Sequence, residues 1–137
     1  MRKYTIAVFA ITFAVIFTVV PVLAHHSFAA EYDGNKPFTL KGKVTKFEWQ
    51  NPHVYYYVDV TDAAGKVTNW AVEGAAPNGL YRLGWRKDSL KVGDLITVEG
   101  FLAKNGAAHM SGRTVTMADG KSVLSGFGDG GPNDRYR

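Results

Sequence analysis

Residues 53–61 alternate between two kinds of side chain, and this alternation constrains the fold more than any other feature of the sequence. The apolar positions are Val54, Tyr56, Val58 and Val60. The positions between them hold His53, Tyr55, Tyr57 and Asp59. Successive side chains of a strand point to opposite faces, so a period of two predicts a strand with one buried face. The β-branched and aromatic residues of this segment favour the same structure.

The rest of the chain contains four more strands and one helix by the same reasoning. Alternation predicts strands over residues 38–49, 66–73, 94–102 and 108–117. The first of these strands is predicted to bend near its end. Residues 77–83 predict a short helix, because proline suits a first helical turn and a glycine follows the last. A turn at Asp119-Gly120 would permit a short hairpin back through Val123 and Leu124.

Three strands, a helix and two strands follow one another in the order of an OB-type barrel. The alternating faces require a closed sheet or a partner sheet, because an open sheet of this size would leave its apolar face in water. We therefore predict an all-β protein, a small five-stranded OB-like barrel with one short helix between strands 3 and 4. Another small β-barrel is the alternative.

The first 24 residues have the three parts of an export signal. Arg2 and Lys3 precede an apolar run over residues 6–20, Pro21 interrupts it, and Ala24 suits signal peptidase cleavage. The run is shorter than the roughly 20 residues that span a bilayer. We predict a cleaved signal over residues 1–24 and a periplasmic or secreted protein; an uncleaved N-terminal anchor is the alternative.

Cleavage changes the composition of the folded part. With Arg2 and Lys3 removed, 14 of the 16 basic residues remain against 12 acidic residues. This nearly balanced charge does not favour binding to polyanions, so we predict no nucleic acid partner. We also predict no membrane association after signal cleavage. The chain has no cysteine and hence no disulfide scaffold. We predict one domain over residues 25–124, beginning with an arm at 25–37, and a disordered tail over residues 125–137 that is rich in Gly, Asp, Asn and Pro.

Several segments resemble a family of small exported bacterial proteins that has no assigned biochemical function. These segments are AHHSFAAEYD (24–33), NPHV (51–54), NWAVEG (69–74), and Gly84-Trp85 followed by residues 88–94. The resemblance extends over about residues 24–118. It implies export and a small β-barrel, and it transfers no catalytic residue.

The four histidines carry the sharpest chemical hypothesis. Cleavage after Ala24 would make His25 the first residue, so that its amine and imidazole would chelate one ion together. His26 would compete for the same amine, and His53, after a rigid turn, or His109 would supply a distant imidazole. Nitrogen-rich sites favour divalent copper, with zinc and nickel behind. Either Glu31 or Asp33 would suit an added oxygen ligand.

Other interpretations of these residues remain open. The histidine pair is also consistent with solvated side chains, and His53 with a residue that braces its turn. A second function class is a binding module that holds a small ligand or periplasmic protein on a barrel face around Tyr55, Tyr57 and Arg113. A copper enzyme would need a substrate pocket that the sequence does not indicate. We predict a binding protein without catalytic residues.

Overall fold

A computed structural model describes residues 28–126 as two short helices and six strands. The helices are α1 (Phe28–Glu31) and α2 (Pro77–Arg82). The strands are β1 (Tyr32–Glu48), β2 (Tyr55–Thr61), β3 (Val67–Glu73), β4 (Leu95–Ala103), β5 (His109–Met117) and β6 (Ser122–Leu124). The helix α2 lies between β3 and β4 along the chain, as the sequence predicted.

The six strands form one closed sheet. Their order is β3-β2-β1-β4-β5-β6, and these neighbours all pair antiparallel. The ends of β3 and β5 pair in parallel, through residues 71–73 and 109–111, and this contact closes the barrel. The OB-like barrel predicted from the order of elements is confirmed, with the three-residue β6 added along β5.

The alternating pattern predicted for residues 53–61 matches the burial of their side chains in the structure. Val54, Tyr56 and Val58 are almost completely buried, and Val60 packs at the margin of the same core. Leu40 and Val44 of β1 and Ile96 and Val98 of β4 complete the centre of the core. Phe38 stacks on Trp70 with ring centroids 5.0 Å apart, which covers one side of this core. Burial of this apolar surface is the main stabilising contribution.

The described part of the predicted arm, residues 28–37, is regular structure and not an extended lead-in. Residues 28–31 form α1, and β1 then begins at Tyr32, which pairs with Ala103 of β4. The register of β1 against β4 shifts between Tyr32 and Pro37. The intervening residues, 33–36, have the composition of a loop but lie within β1. The predicted bend of β1 also occurs earlier, between Val44 and Lys46.

The first residue of the predicted tail is part of the folded barrel. Ser125 is fully buried, its hydroxyl lies 3.0 Å from that of Tyr56, and its backbone nitrogen donates to the carbonyl of Arg113. The signal sequence, His25, His26 and residues 127–137 lie outside the described residues. Within residues 28–126 neither helix has the length and apolar character to cross a membrane.

We expect the buried hydroxyl of Tyr56 to make the barrel sensitive to alkali. Burial raises the pKa of Tyr56, so its folded form keeps the proton when an unfolded tyrosine loses it at about pH 10. Its contribution to stability is therefore complete below about pH 10 and is lost as the pH rises further, by up to about 1.4 kcal/mol per pH unit. Tyr56→Phe should flatten this loss, measured as urea unfolding free energies from pH 8 to 11.5.

The control is Tyr81→Phe, which changes an exposed tyrosine in the same way. It should lose stability with pH as the wild-type protein does. Parallel losses in wild type and Tyr56→Phe would show that the buried hydroxyl does not cause the alkaline destabilisation.

Candidate functional site

A cluster of polar side chains lies at one mouth of the barrel, where three strands begin or end. Tyr32 begins β1, Glu73 ends β3 and His109 begins β5. His53 approaches from the loop before β2, and Glu31 from the end of α1. Closure of the sheet through β3 and β5 creates this mouth, because it places residues 71–73 beside residues 109–111.

Glu73 is the centre of the cluster. Its Oε1 contacts Nδ1 of His53, and its Oε2 accepts a hydrogen bond from the hydroxyl of Tyr32. The same Oε2 lies 4.0 Å from Nε2 of His109. The Glu73 side chain is only 12% exposed. A carboxylate this deeply placed needs hydrogen-bond donors to offset its lost hydration, and these neighbours supply them.

His109 has a different partner on each ring nitrogen. Its Nε2 lies 2.9 Å from the Tyr32 hydroxyl, and its Nδ1 lies 3.6 Å from Oε1 of Glu31. The Tyr32 hydroxyl has one proton, so while it donates to Glu73 it can only accept from an Nε2–H of His109. In a neutral ring this assignment leaves the lone pair on Nδ1, on the side of Glu31.

The helix α1 is fastened over the mouth by apolar and polar contacts. The ring of Phe28 packs edge-on against Phe101, with centroids 5.5 Å apart, and also contacts Tyr32. The backbone nitrogen of Lys104 donates to the carbonyl of Glu31, and its Nζ donates to the carbonyl of Ala29. These contacts hold the Glu31 carboxylate beside His109.

The two tyrosines of the cluster remain hydrogen-bond donors at neutral pH. Burial raises the pKa of Tyr32, and the hydrogen bond to Glu73 and the negative charges of Glu73 and Glu31 raise it further. Burial and the charge of Glu73 also raise the pKa of Tyr55, whose ring lies beside that of His109. The tyrosine hydroxyls around Glu73 are therefore neutral hydrogen-bond donors.

Three of the clustered groups are suitable as metal ligands. Each of three residues, Glu31, Glu73 and His109, offers one ligand atom, and these three atoms lie within 4.8 Å of one another. The structure thus brings together His109, one of the predicted ligands, and Glu31, one of the two predicted oxygen ligands. Asp33 lies elsewhere: it accepts from the backbone of Asn35 and pairs with Lys36 at 3.5 Å.

His53 joins the cluster through Glu73, and His25 and His26 lie outside the described residues. Neither Glu73 nor Tyr32 was predicted as a site residue from the sequence. The hairpin gave a signal for Glu73, since counting outward from the turn before β3 puts Glu73 opposite Tyr55 and close to His53. No comparable signal exists for Tyr32, which the sequence placed in an arm.

The proposed aromatic face is divided between two environments. Tyr55 contributes to the cluster, whereas the Tyr57 hydroxyl donates to Glu48 at 3.0 Å and its ring lies under Lys46. A separate cavity of about 360 Å³ lies among Trp85, Leu90 and Met117. Neither histidine of residues 28–126 lines it, so the barrel mouth is the stronger candidate site.

The fold and the cluster define an OB-like barrel with a mixed histidine and carboxylate site at one mouth. Residues 14–112 match a family described as "Family of unknown function (DUF6152)", and the chain belongs to this family. Membership agrees with the resemblance to a family without an assigned function. No curated protein matches the sequence.

Among solved structures, the barrel is similar to two crystal structures of mitochondrial single-stranded DNA binding proteins from S. cerevisiae, Rim1 (Form2). The first has a TM-score of 0.48 and 12% identity, covering 61% of this chain and 93% of the other. The second, selenomethionine-labelled, has a TM-score of 0.45 and 10% identity, covering 66% and 97%. Likenesses this distant carry no argument about the ligand of this chain.

One prediction is corrected at this point. Nucleic acid was excluded as a partner from the sequence, and this exclusion does not stand: its basis was the net charge, and both solved structures named above are those of single-stranded DNA binding proteins. The exclusion rested on the net charge of the mature chain. A net charge averages over the whole surface, whereas a binding groove depends on local charge.

Proposed function

We propose that the protein is an exported, periplasmic metal-binding protein that holds one divalent ion, copper in preference to zinc, at the barrel mouth. The observation that carries this proposal is the convergence of Glu31, Glu73 and His109. Its role is binding rather than catalysis, as a carrier or buffer of the ion.

The spacing of the donor atoms supports a single ion. Ligands bound to a common ion at about 2.0–2.2 Å lie at most about 4.4 Å from each other. The three donor atoms lie within 4.8 Å of one another, so small side-chain rotations would bring them into one coordination shell. The lone pair assigned to Nδ1 of His109 lies on the side of Glu31, as ligation by that nitrogen requires.

The chemistry of the donors supports a divalent ion. Imidazole nitrogen suits copper and zinc, and carboxylate oxygen adds negative charge that compensates a dication. The chain has no cysteine, so soft thiolate ligands, which select monovalent copper, are absent from its whole sequence.

The N-terminal histidines would add further nitrogen ligands. His25 precedes Phe28 by three residues, so its Cα lies at most about 11 Å from that of Phe28 along an extended chain. Because Phe28 packs beside Tyr32 at the mouth, the amine and imidazole of His25, or the imidazole of His26, have the reach to join Glu31 and His109. Signal cleavage after Ala24 would complete the site in the periplasm.

Intact mass spectrometry of the exported protein, titrated with cupric ion, tests this proposal. We expect a mass that begins at His25 and a one-to-one adduct that persists against a weak chelator. His109→Ala should reduce the affinity, and so should one alanine inserted before His25. Asn105→Ala, a change in the exposed turn before β5, is the control and should bind as the wild-type protein does.

Two results would contradict the proposal. A measured mass that still includes the signal sequence, or that begins at another residue, would exclude a free amine on His25. If no stoichiometric adduct forms, or if His109→Ala binds the ion as strongly as the wild-type protein, the barrel mouth is not the metal site.

A further inference from the structure

His53 contacts the cluster at Glu73, the residue at its centre. Its Nδ1 lies against Oε1 of Glu73, on the opposite side of the carboxylate from Tyr32. The group of converging donor atoms contains Glu31, Glu73 and His109, and His53 contacts one of these residues, Glu73.

We propose that His53 is a positioning residue, which donates its Nδ1–H to Oε1 of Glu73 and so directs Oε2 towards the metal. This inference rests on the proposed function, since it names the residue that orients a ligand of the same site. Protein sites often orient a ligand in this way, by a hydrogen bond from a neighbouring side chain.

Glu73 needs such a partner because of its own geometry. The last torsion angle of a glutamate side chain is broad, so the carboxylate plane is not fixed by the backbone. In this cluster His53 at Oε1 and Tyr32 at Oε2 contact opposite oxygens and help to fix that plane. When the ion replaces the Tyr32 contact at Oε2, His53 still donates to Oε1 and holds the carboxylate in place.

The position of His53 in the chain suits this role. It directly precedes the buried Val54, whose backbone nitrogen donates to the carbonyl of Ala75 and whose carbonyl accepts from Gly74. These two hydrogen bonds tie the residue just before β2 to the segment just after Glu73. The backbone at residue 53 is therefore fixed relative to the carboxylate that its side chain contacts.

Two substitutions at residue 53 separate positioning from ligation. His53→Asn places an amide N–H where Nδ1 stands, because both nitrogens are two bonds beyond Cβ, and an amide is a poor ligand for copper. His53→Ala removes the donor. We expect the cupric affinity of the processed protein to fall about 10- to 100-fold in His53→Ala and to return to within about threefold of wild type in His53→Asn. Electron paramagnetic resonance should report the same number of bound nitrogens in all three proteins.

The outcomes distinguish this inference from the proposed function. If His53→Asn binds as weakly as His53→Ala and the resonance spectrum loses a nitrogen, His53 is a direct ligand and the positioning role is wrong. If His53→Ala binds as wild type does while Glu73→Gln does not, the site exists but His53 has no part in it. If Glu73→Gln and His109→Ala both bind as wild type does, the proposed function itself fails.

Discussion

Replacing Gly100 with alanine is expected to destabilise the barrel by about 3 kcal/mol or more, which is severe for a single domain. A Cβ at this position would lie 1.9 Å from the carbonyl oxygen of Ser111 and 2.9 Å from Cε of Met110. The methionine end can rotate away, but the carbonyl belongs to β5. Relief would require β4 and β5 to separate where their register already shifts, between Glu99 and Gly100.

Urea unfolding of Gly100→Ala, followed by tryptophan fluorescence, measures this effect. The matched control is Gly79→Ala on α2, where an added Cβ meets nothing within 4 Å. Alanine favours helix over glycine by roughly 0.5–1 kcal/mol, so the control should be neutral or slightly stabilising. A Gly100→Ala variant as stable as this control would show that the strands separate without cost at this point.

Glu73→Gln is expected to lower the affinity for cupric ion at least about 100-fold, which is about 2.8 kcal/mol. The substitution keeps the shape of the side chain and removes the negative charge and one acceptor oxygen. It therefore tests the carboxylate as a ligand while leaving the fold almost unchanged. Competition with a chelator of known affinity, at constant pH and ionic strength, gives the dissociation constants.

Glu99→Gln is the matched control, because Glu99 lies exposed within β4 and pairs across the sheet with Thr39 and Thr114. It makes the same chemical change away from the cluster and should bind as wild type does. Equal losses in the two variants would point to a general effect of charge on copper binding and not to coordination by Glu73.

The fold was predictable because its signal is local. Alternation over residues 53–61 specifies which side of β2 is buried, and the turn that follows fixes its pairing with β3. The same pattern is present in β4 and β5. The failures occurred where local signals compete: residues 33–37 have the composition of a loop but are held in β1 by β4, and Ser125 lies in a glycine-rich stretch but is held by Tyr56.

The candidate site was predictable only in part because its residues are distant in sequence. Histidines are recognisable as ligands by type, so His53 and His109 were named. Glu73 was not predicted, since the sequence does not state which strands close the barrel. His25 and His26 lie outside the described residues, and their part in the site stays a prediction.

The sequence by itself determined the strands, the position of the helix and the buried face, because the period of a strand and the cost of exposing apolar surface are properties of short segments. Only the tertiary structure decided that Glu73 meets Tyr32 and His109. That meeting depends on the parallel contact between β3 and β5, and a contact between segments almost forty residues apart follows from the closure of the whole sheet.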